Sequence, residues 1–289
     1  MSNHRILVTA ASGQLGRLTI DALLKLVPAS HIVAGLRDPA KGADLAARGV
    51  SVVAADYSKP ETLDAAFKGI DRLLLISSNE LGQRVAQHRN VIDAAKRAGV
   101  KLIAYTSVLR ADTSKLSVAQ EHLSTEALIR ASGIPFVLLR NGWYTENYTA
   151  SIPAALAHNA LVSSAKDGRI ASATRADYAA AAAIVLTSAD EHAGKVYELA
   201  GDQAYTLEDF ATEITKRSGK TVAYVRLPEA DFKAALLGAG LPSELAELIA
   251  TSDTAAADGA LFDDSHTLSR LIGRKTTPFA TTIAEALKA

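Results

Sequence analysis

The chain of 289 residues is long enough for about two domains of ordinary size, or for one domain with an annex. Hydrophobic residues make up 48% and charged residues 21%, which is typical of a globular protein with a sizeable core and excludes a disordered or fibrous chain. The 31 basic and 31 acidic residues cancel, so the chain lacks the basic excess of a phosphate-neutralising protein and we expect no nucleic-acid partner. The absence of cysteine excludes disulfides, thiolate nucleophiles and cysteine-ligated metals.

Targeting and metal signals are weak throughout the sequence. The first residues do not contain the apolar core of about 7–15 residues that marks a secretory signal. The longest plainly apolar run, Ala179 to Leu186, is far shorter than the ~20 residues that cross a bilayer. The histidines are spread singly from His4 to His266, so we expect no metal site. We therefore expect a cytoplasmic protein without membrane insertion.

The first half of the chain alternates short apolar runs with helical patterns. The apolar runs are continuous and rich in branched residues, as in strands that are buried on both faces of a parallel sheet. The predicted strands are 6–8, 31–34, 50–53, 72–76, 102–105 and 136–139, and the predicted helices are 14–26, 40–47, 60–67, 83–98 and 118–131. Gly49, Gly69, Gly99 and Gly133 follow predicted helix ends, where a left-handed residue is favoured. The alternation predicts an α/β fold of the Rossmann type, a doubly wound parallel sheet with helices on both faces.

After about Arg140 this rhythm weakens. Residues 141–175 show no clear pattern. Beyond them, residues 176–188, 207–218, 229–238, 242–252, 265–271 and 278–287 are predicted helices, and residues 196–199 and 222–225 are predicted strands. We therefore predict a sheet domain over residues 1–140 and a smaller α-rich substrate-side lobe over residues 141–289, from which parts of the chain return to the sheet.

A glycine-containing turn, Thr-Ala-Ala-Ser-Gly-Gln-Leu-Gly at residues 9–16, follows the first predicted strand and opens the first helix. Small residues and the free N–H groups of a helix N-terminus are what a pyrophosphate needs. The predicted dinucleotide contacts are Ala10, Ser12, Gly13, Gln14, Leu15 and Gly16. Gly16 is placed for close packing of helix against strand. Ala10 stands where glycine is usual, which leaves the turn geometry open, and the alternative is an ordinary strand–helix turn.

The end of the second predicted strand indicates which dinucleotide binds. An NAD site usually carries an acidic residue there, whereas this chain has no acid at 33–36 and presents Arg37 before Asp38. A guanidinium binds a 2′-phosphate that a carboxylate would repel, so we predict NADPH as the cofactor, bound by residues 1–140. The alternative is an exposed Arg37 paired with Asp38. Asp56, after the third strand, is predicted either to reach the adenine or to lead into the next helix.

Polar and aromatic residues follow the fourth, fifth and sixth predicted strands, whose carboxyl ends are where doubly wound sheets bind ligands. The predicted cofactor contacts here are Ser77, Ser78, Thr106, Asn141, Gly142, Trp143, Tyr144, Thr145 and Glu146, together with Ser107 at the same edge. Arg140 and Arg175 are predicted either to contact the phosphates or to pair with acids. Tyr105, Trp143 and Tyr144 are the predicted walls of a substrate slot. Loop composition is the alternative for each serine, and a core position is the alternative for Trp143.

Several of these stretches together resemble the NmrA-like group of atypical short-chain dehydrogenases/reductases. They are residues 9–16, 36–39, 55–57, 75–78 and 103–107 and, as the most specific piece, Leu139-Arg140-Asn141-Gly142-Trp143-Tyr144-Thr145-Glu146-Asn147. Similar stretches at 87–92, 170–178 and 261–265 extend the resemblance over nearly the whole chain, more to the quinone-reducing bacterial members than to the dye-reducing ones. The resemblance implies an NADPH-dependent reductase that transfers hydride to a small quinone. The alternatives are a redox-sensing regulator that binds NADP(H) without turnover, and a reductase of dyes or other conjugated acceptors.

The candidate proton donor is a histidine and not a tyrosine. None of the eight tyrosines has a lysine four residues on, so we do not expect the Tyr-Lys pair with which short-chain dehydrogenases protonate an alkoxide. His122 is the predicted catalytic residue, since related members can carry a lysine there and an imidazole titrates near working pH. Glu126 follows one turn later. A surface histidine beside Glu121 is the alternative, and His88 with Arg89 is predicted to be solvated helix surface.

Overall fold

The computed structural model describes residues 4–188 and 191–288. Its strands, in chain order, are β1 (Ile6–Val8), β2 (Ile32–Leu36), β3 (Ser51–Ala54), β4 (Arg72–Leu75), β5 (Leu102–Val108), β6 (Phe136–Asn141), β7 (Ala160–Ser163), β8 (Val196–Leu199) and β9 (Ala223–Arg226). In the described part of the chain they form a seven-stranded sheet of order β3-β2-β1-β4-β5-β6-β8, in which β1 to β6 pair in parallel. The predicted fold class is confirmed.

Thirteen α-helices are present in the described residues. In chain order they are α1 (Gln14–Leu23), α2 (Ala43–Ala47), α3 (Pro60–Ala66), α4 (Arg84–Ala98), α5 (Ala119–Ser132), α6 (Thr145–Thr149), α7 (Ile152–His158), α8 (Arg175–Thr187), α9 (Leu207–Ser218), α10 (Glu229–Gly238), α11 (Ser243–Ala257), α12 (Thr267–Ile272) and α13 (Phe279–Ala286). No helix of the described residues is both long and apolar enough to cross a bilayer.

The continuous apolar runs are buried on both faces of the sheet. Leu7, Leu73 and Ile103 point to one face, where they share a hydrophobic cluster with Phe67 near α3 and Val91 on α4. Alternate strand residues point to the opposite face, because successive side chains of a strand alternate. On that face α1 packs against α8, and α8 contacts β4, β5 and β6. The strands therefore need no polar face, which explains their unbroken hydrophobic pattern.

Helix ends follow the local sequence signals. Gly49, Gly69, Gly99 and Gly133 all adopt positive φ, between 71° and 83°, as their places after helices predict. The helix predicted to reach Leu26 ends at Leu23, because Lys25 and Leu26 donate their N–H groups to the third residue back, Ala22 and Leu23, as in a tightened last turn.

The chain forms two compact units. Of the described residues, the first unit contains 4–112, 120–141, 175–188 and 191–197, and the second contains 113–119, 142–174 and 198–288. The patternless stretch after Arg140 holds α6, α7 and β7 in the second unit, and β7 pairs in parallel with β9. These three elements have 5, 7 and 4 residues, which is too short for a periodic pattern to emerge from the sequence.

Candidate active site

The turn between β1 and α1 brings backbone unusually close to backbone. A Cβ added at Gly16 would lie 2.6 Å from the carbonyl oxygen of Ala10 and 2.8 Å from the Cα of Ala11. Ala10 itself has φ of +49°, and its carbonyl accepts a hydrogen bond of 3.0 Å from the N–H of Gly13. The turn thus keeps a left-handed residue at this position although the residue is alanine, and Gly16 has the close-packing role that the sequence predicts.

The N-terminus of α1 is suited to an anion. Gly13 is the N-cap residue of α1, and no side chain of the described residues makes a capping hydrogen bond there. The first turn of the helix carries no acidic residue. Ser12, Gly13 and Gln14 are exposed, so the first N–H groups of the helix are reachable from solvent. Unsatisfied N–H groups and the positive end of the helix dipole together favour a phosphate at this place.

Arg37 follows β2 directly, with 67% of its side chain exposed. Its Nη2 lies 2.9 Å from Oε1 of Glu80, in the segment after β4. Asp38, the partner suggested by the sequence, instead accepts a hydrogen bond of 3.1 Å from the N–H of Ala40. The predicted alternative of an Arg37–Asp38 pair is therefore corrected to an Arg37–Glu80 pair.

Asp56 lies at the entry to α3. Its Oδ1 accepts a hydrogen bond of 2.9 Å from the N–H of Ser58, and its own N–H donates to the hydroxyl of Thr62 at 3.0 Å. These bonds match the helix-entry interpretation of Asp56. A contact of Asp56 with adenine stays a prediction.

The serines after β4 are fixed by neighbouring elements. Ser77 donates its N–H to the hydroxyl of Thr106 at 2.9 Å, which joins the ends of β4 and β5. Ser78 is buried, and its N–H donates to Nε2 of His88 at 2.9 Å while its hydroxyl donates to Gln87. Loop composition alone therefore does not explain Ser78, because four residues hydrogen-bond to it: Glu80, Arg84, Gln87 and His88.

Beside these serines lies a group of side chains that we call the His88 cluster, which is buried except for the half-buried Glu121. Its members are Ser78, Arg84, His88, Glu121 and Thr125. Arg84 donates from Nε to the carbonyl of Ser78 at 2.7 Å, and its Nη1 lies 3.2 Å from Glu121. The cluster thereby ties the segment after β4 to both α4 and α5.

The prediction that His88 is solvated is wrong, because its side chain is completely buried. Its Nε2 accepts from Ser78, so the proton of the neutral ring is on Nδ1, which donates to the hydroxyl of Thr125 at 2.9 Å. Burial first, and the charge of Arg84 second, lower the pKa of His88 to about 3. His88 is therefore a neutral structural residue at ordinary pH.

His122 lies in the first turn of α5 with 6% of its surface exposed, which excludes the alternative of an ordinary surface histidine. Its Nδ1 is 2.7 Å from the hydroxyl of Tyr105. Burial, followed by the charge of Arg84, holds the pKa of His122 well below that of a free histidine. The imidazole is consequently neutral near pH 7.

The prediction that Tyr105 lines a substrate slot disagrees with its position. Tyr105 is completely buried, and its ring belongs to the hydrophobic cluster between β5 and helices α4 and α5. Burial raises the pKa of its phenol, so the hydroxyl keeps its proton. Tyr105 contacts His122 from the core side and supports that residue instead of forming a wall.

Arg140 pairs with acids in this structure, which is the second of its two predicted roles. Its Nε and Nη2 lie 2.9 Å and 2.8 Å from the carboxylate of Glu126, and its Nη1 is 3.2 Å from Asp112. Ser107 donates its hydroxyl to the same Glu126 carboxylate at 2.6 Å. Glu126 therefore serves this ion pair and not His122.

Asn141 ends β6 with its side chain buried. Its Oδ1 is buried and has no hydrogen-bond partner among the described residues. Buried carbonyl oxygens are nearly always paired, so an unpaired one at the carboxyl edge of the sheet indicates a ligand that donates an N–H or O–H. An amide-bearing nicotinamide fits this requirement.

The remaining predicted contacts lie in the second unit, apart from Arg175. Gly142 donates its N–H to Leu199 at 2.7 Å, and Thr145 is buried with its hydroxyl 2.8 Å from that of Ser172. Trp143 and Tyr144 are half-buried, so Trp143 is not the core plug that was its alternative. Glu146 lies in α6, and Arg175 is the first residue of α8, in the first unit.

The family assignment follows from comparison of the chain with known proteins. The model of the NmrA-like family matches residues 2–286. This chain belongs to the NmrA-like family. The resemblance drawn from the sequence motifs is thereby confirmed.

Relatives of this NmrA-like chain include two reductases. Quinone oxidoreductase 2 of Escherichia coli is 59% identical over 279 residues, which are 96% of this chain and 97% of that protein. The structure of the NADPH-dependent quinone oxidoreductase of Escherichia coli complexed with NADPH matches with a TM-score of 0.95 and 58% identity, over 98% of this chain and 99% of that chain. Triphenylmethane reductase of Citrobacter sp., complexed with NADP(H), matches with a TM-score of 0.93 and 40% identity, over 97% and 99% of the two chains.

Sequence reasoning missed Glu80, Arg84 and Gln87. A signal for two of them exists, because Arg84 and Gln87 stand seven and four residues before Val91 and so share the buried face of α4 with it. Glu80 lies in a loop and carries no periodic signal. Its contact with Arg37 joins residues 43 positions apart, which no local pattern predicts.

Proposed function

We propose that this NmrA-like chain is an NADPH-dependent reductase that transfers hydride to a small quinone. The observation that carries the proposal is its likeness, over nearly the whole chain, to the Escherichia coli quinone oxidoreductase that binds NADPH. The α1 N-terminus, the close approach at Gly16 and the buried oxygen of Asn141 support a dinucleotide at the carboxyl edge of the sheet. Bound NADPH supplies the hydride.

The first unit offers most of the contacts that such a nucleotide requires. Ser12 and Gln14 offer N–H groups to the pyrophosphate on either side of Gly13, whose own N–H is bonded to the carbonyl of Ala10. Arg37 offers a guanidinium to the 2′-phosphate. The oxygen of Asn141 accepts from the carboxamide. Further contacts proposed on the sequence alone are Ala10, Leu15 and Gly16 in the turn, Asp56 with the adenine, Ser77, Ser78 and Thr106 with the ribose, and Gly142, Trp143, Tyr144, Thr145, Glu146 and Arg175 with the nicotinamide half and the phosphates.

His122 is the proposed donor to the substrate oxygen. The Tyr105 hydroxyl lies 2.7 Å from Nδ1. In the tautomer in which this hydroxyl donates to Nδ1, the proton of the neutral imidazole lies on Nε2, where it is available as a hydrogen-bond donor. Hydride addition to a quinone gives a hydroquinone anion, which is a weaker base than an alkoxide. A neutral hydrogen-bond donor followed by proton uptake from water therefore suffices, and positioning supplies most of the rate.

The proposal is tested by adding 1,4-benzoquinone to purified protein with NADPH and following the loss of NADPH absorbance. We expect one NADPH to be oxidised for each quinone reduced to hydroquinone. Binding of NADPH without turnover of several quinones and dyes contradicts the proposal and favours the redox-sensing regulator. Faster turnover of dyes than of every quinone tested favours the dye reductase.

Cofactor choice is tested by thermal shift with NADPH and NADH, because a bound ligand stabilises the folded state by mass action. We expect the larger shift with NADPH, and Arg37→Glu should abolish or reverse that preference. Arg97→Glu is the matched control, since Arg97 is an exposed arginine that also pairs with a carboxylate, that of Asp64. Equal shifts with both nucleotides in the unmutated protein contradict the role of Arg37.

A further inference from the structure

The Arg37–Glu80 ion pair joins two segments that flank the turn after β1. In the sheet order β3-β2-β1-β4, strand β1 lies between β2 and β4. Arg37 follows β2, and Glu80 lies in the segment that follows β4. Neighbouring strands are about 4.8 Å apart, so a contact between these two segments has to pass in front of the carboxyl end of β1. The pair therefore lies at the mouth of the turn that presents N–H groups to a phosphate.

Glu80 is held at this place by contacts of its own. Its Oε2 accepts a hydrogen bond of 2.6 Å from Nε2 of Gln87, and its backbone N–H donates to the hydroxyl of Ser78 at 3.2 Å. Gln87 is buried on α4, with its Oε1 bonded to the same Ser78 hydroxyl. The carboxylate thus stays beside Arg37 through a network that does not depend on the arginine.

We propose that Glu80 is a specificity-determining residue whose carboxylate competes with the 2′-phosphate of NADPH for the guanidinium of Arg37. The inference rests on the proposed function, because it takes NADPH as the nucleotide. Binding of the phosphate either separates Arg37 from Glu80 or makes the two anions share one guanidinium. In both cases the Glu80 charge weakens NADPH binding, whereas NADH carries no group that meets this charge.

The test is direct titration of the full-length protein with nucleotide fragments that lack nicotinamide. We expect Glu80→Gln to tighten the binding of 2′,5′-ADP by about two- to fivefold, the range that loss of one exposed ion-pair competitor allows. The affinity for 5′-ADP should change by less than about twofold. The gain should shrink at high salt, because the charges are exposed and screened. In an Arg37→Gln background the same Glu80→Gln change should give a smaller gain, since no guanidinium is left to release.

The control variant is Asp64→Asn, which removes one acidic charge from an exposed pair with Arg97 and should leave both fragment affinities unchanged. Glu80→Ala serves as a second variant if the glutamine protein does not fold.

Weaker or unchanged binding of 2′,5′-ADP in the Glu80 variants overturns the inference, and weaker binding would mean that Glu80 orients Arg37 for the phosphate. If the unmutated protein binds 5′-ADP as tightly as 2′,5′-ADP, the choice of NADPH fails together with this inference. Loss of quinone turnover with normal fragment binding affects only the proposed function.

Discussion

The turn after β1 and the His88 cluster lie in the same compact unit but are built from different parts of the chain. The turn consists of eight consecutive residues, and its geometry depends on backbone conformation, with Gly16 against Ala10 and Ala11. The cluster depends on contacts between three segments of the chain, namely the loop after β4, α4 and α5. The turn should therefore be sensitive to added volume and the cluster to changes of charge.

Gly16→Ala should have the largest effect, and it tests whether the turn is sensitive to added volume. The new Cβ meets two backbone atoms, which cannot move away as a flexible side chain can. We expect a loss of unfolding free energy of about 1–3 kcal/mol or more from overpacking. Nucleotide affinity should fall with it, because α1 must shift away from the strand. Urea unfolding and titration with NADPH measure the two effects.

Gly238→Ala is the matched control for that substitution. An added Cβ at Gly238 meets none of the described atoms within 4 Å, and its φ is not positive. Stability should be unchanged or should rise by up to about 1 kcal/mol. A loss at Gly16 no larger than the change at Gly238 would show that the close approach does not constrain the turn.

His88→Gln should have the next largest effect, and it tests whether the His88 cluster is sensitive to a change of charge. His88 has a folded-state pKa of about 3, against about 6.5 when exposed in the unfolded chain. Between these two values the unfolded chain binds a proton that the folded protein does not, so stability is fully present above about pH 6.5 and is lost as the pH falls toward 3. Glutamine can still accept from the Ser78 N–H but does not titrate.

The glutamine variant should therefore be less stable near neutral pH, by about 1–3 kcal/mol for the lost packing and hydrogen bond, yet lose stability less steeply on acidification. Some slope remains, because the pKa of His122 is lowered in the same direction. Unfolding free energies measured at several pH values between about 4 and 7.5 give the slope of stability against pH. Gly16→Ala should keep the slope of the unmutated protein, and an equal slope in His88→Gln would refute the assignment of the buried neutral ring.

The difference between the two regions also explains which parts of the molecule the sequence could predict. Strands β1 to β6 and the turn were predictable because buried parallel strands and glycine turns leave local patterns. The burial of His88 was not, since it follows from partners on α5 and after β4. Tyr105 ends the strand predicted from the sequence, and an aromatic ring at such a place can face either a ligand or the core. The sequence alone favoured the ligand side. The alternation of β5, which places Tyr105 with Ile103 on the core side, decides between them.

Ala10→Gly should have the smallest effect and tests whether the turn responds to conformation apart from volume. Alanine at φ of +49° costs about 1–2 kcal/mol relative to a right-handed conformation, and glycine removes that cost. Glycine also makes the unfolded chain more flexible, which costs about 0.4–1 kcal/mol. The two effects nearly cancel, so we expect a net gain in unfolding free energy of up to about 1 kcal/mol. The same change at Ala65, exposed within α3, should instead lose about 0.5–1 kcal/mol. Opposite signs at the two positions would identify the left-handed backbone of Ala10 as the cause, whereas a loss at both would mean that the alanine side chain contributes packing to the turn that outweighs its strain.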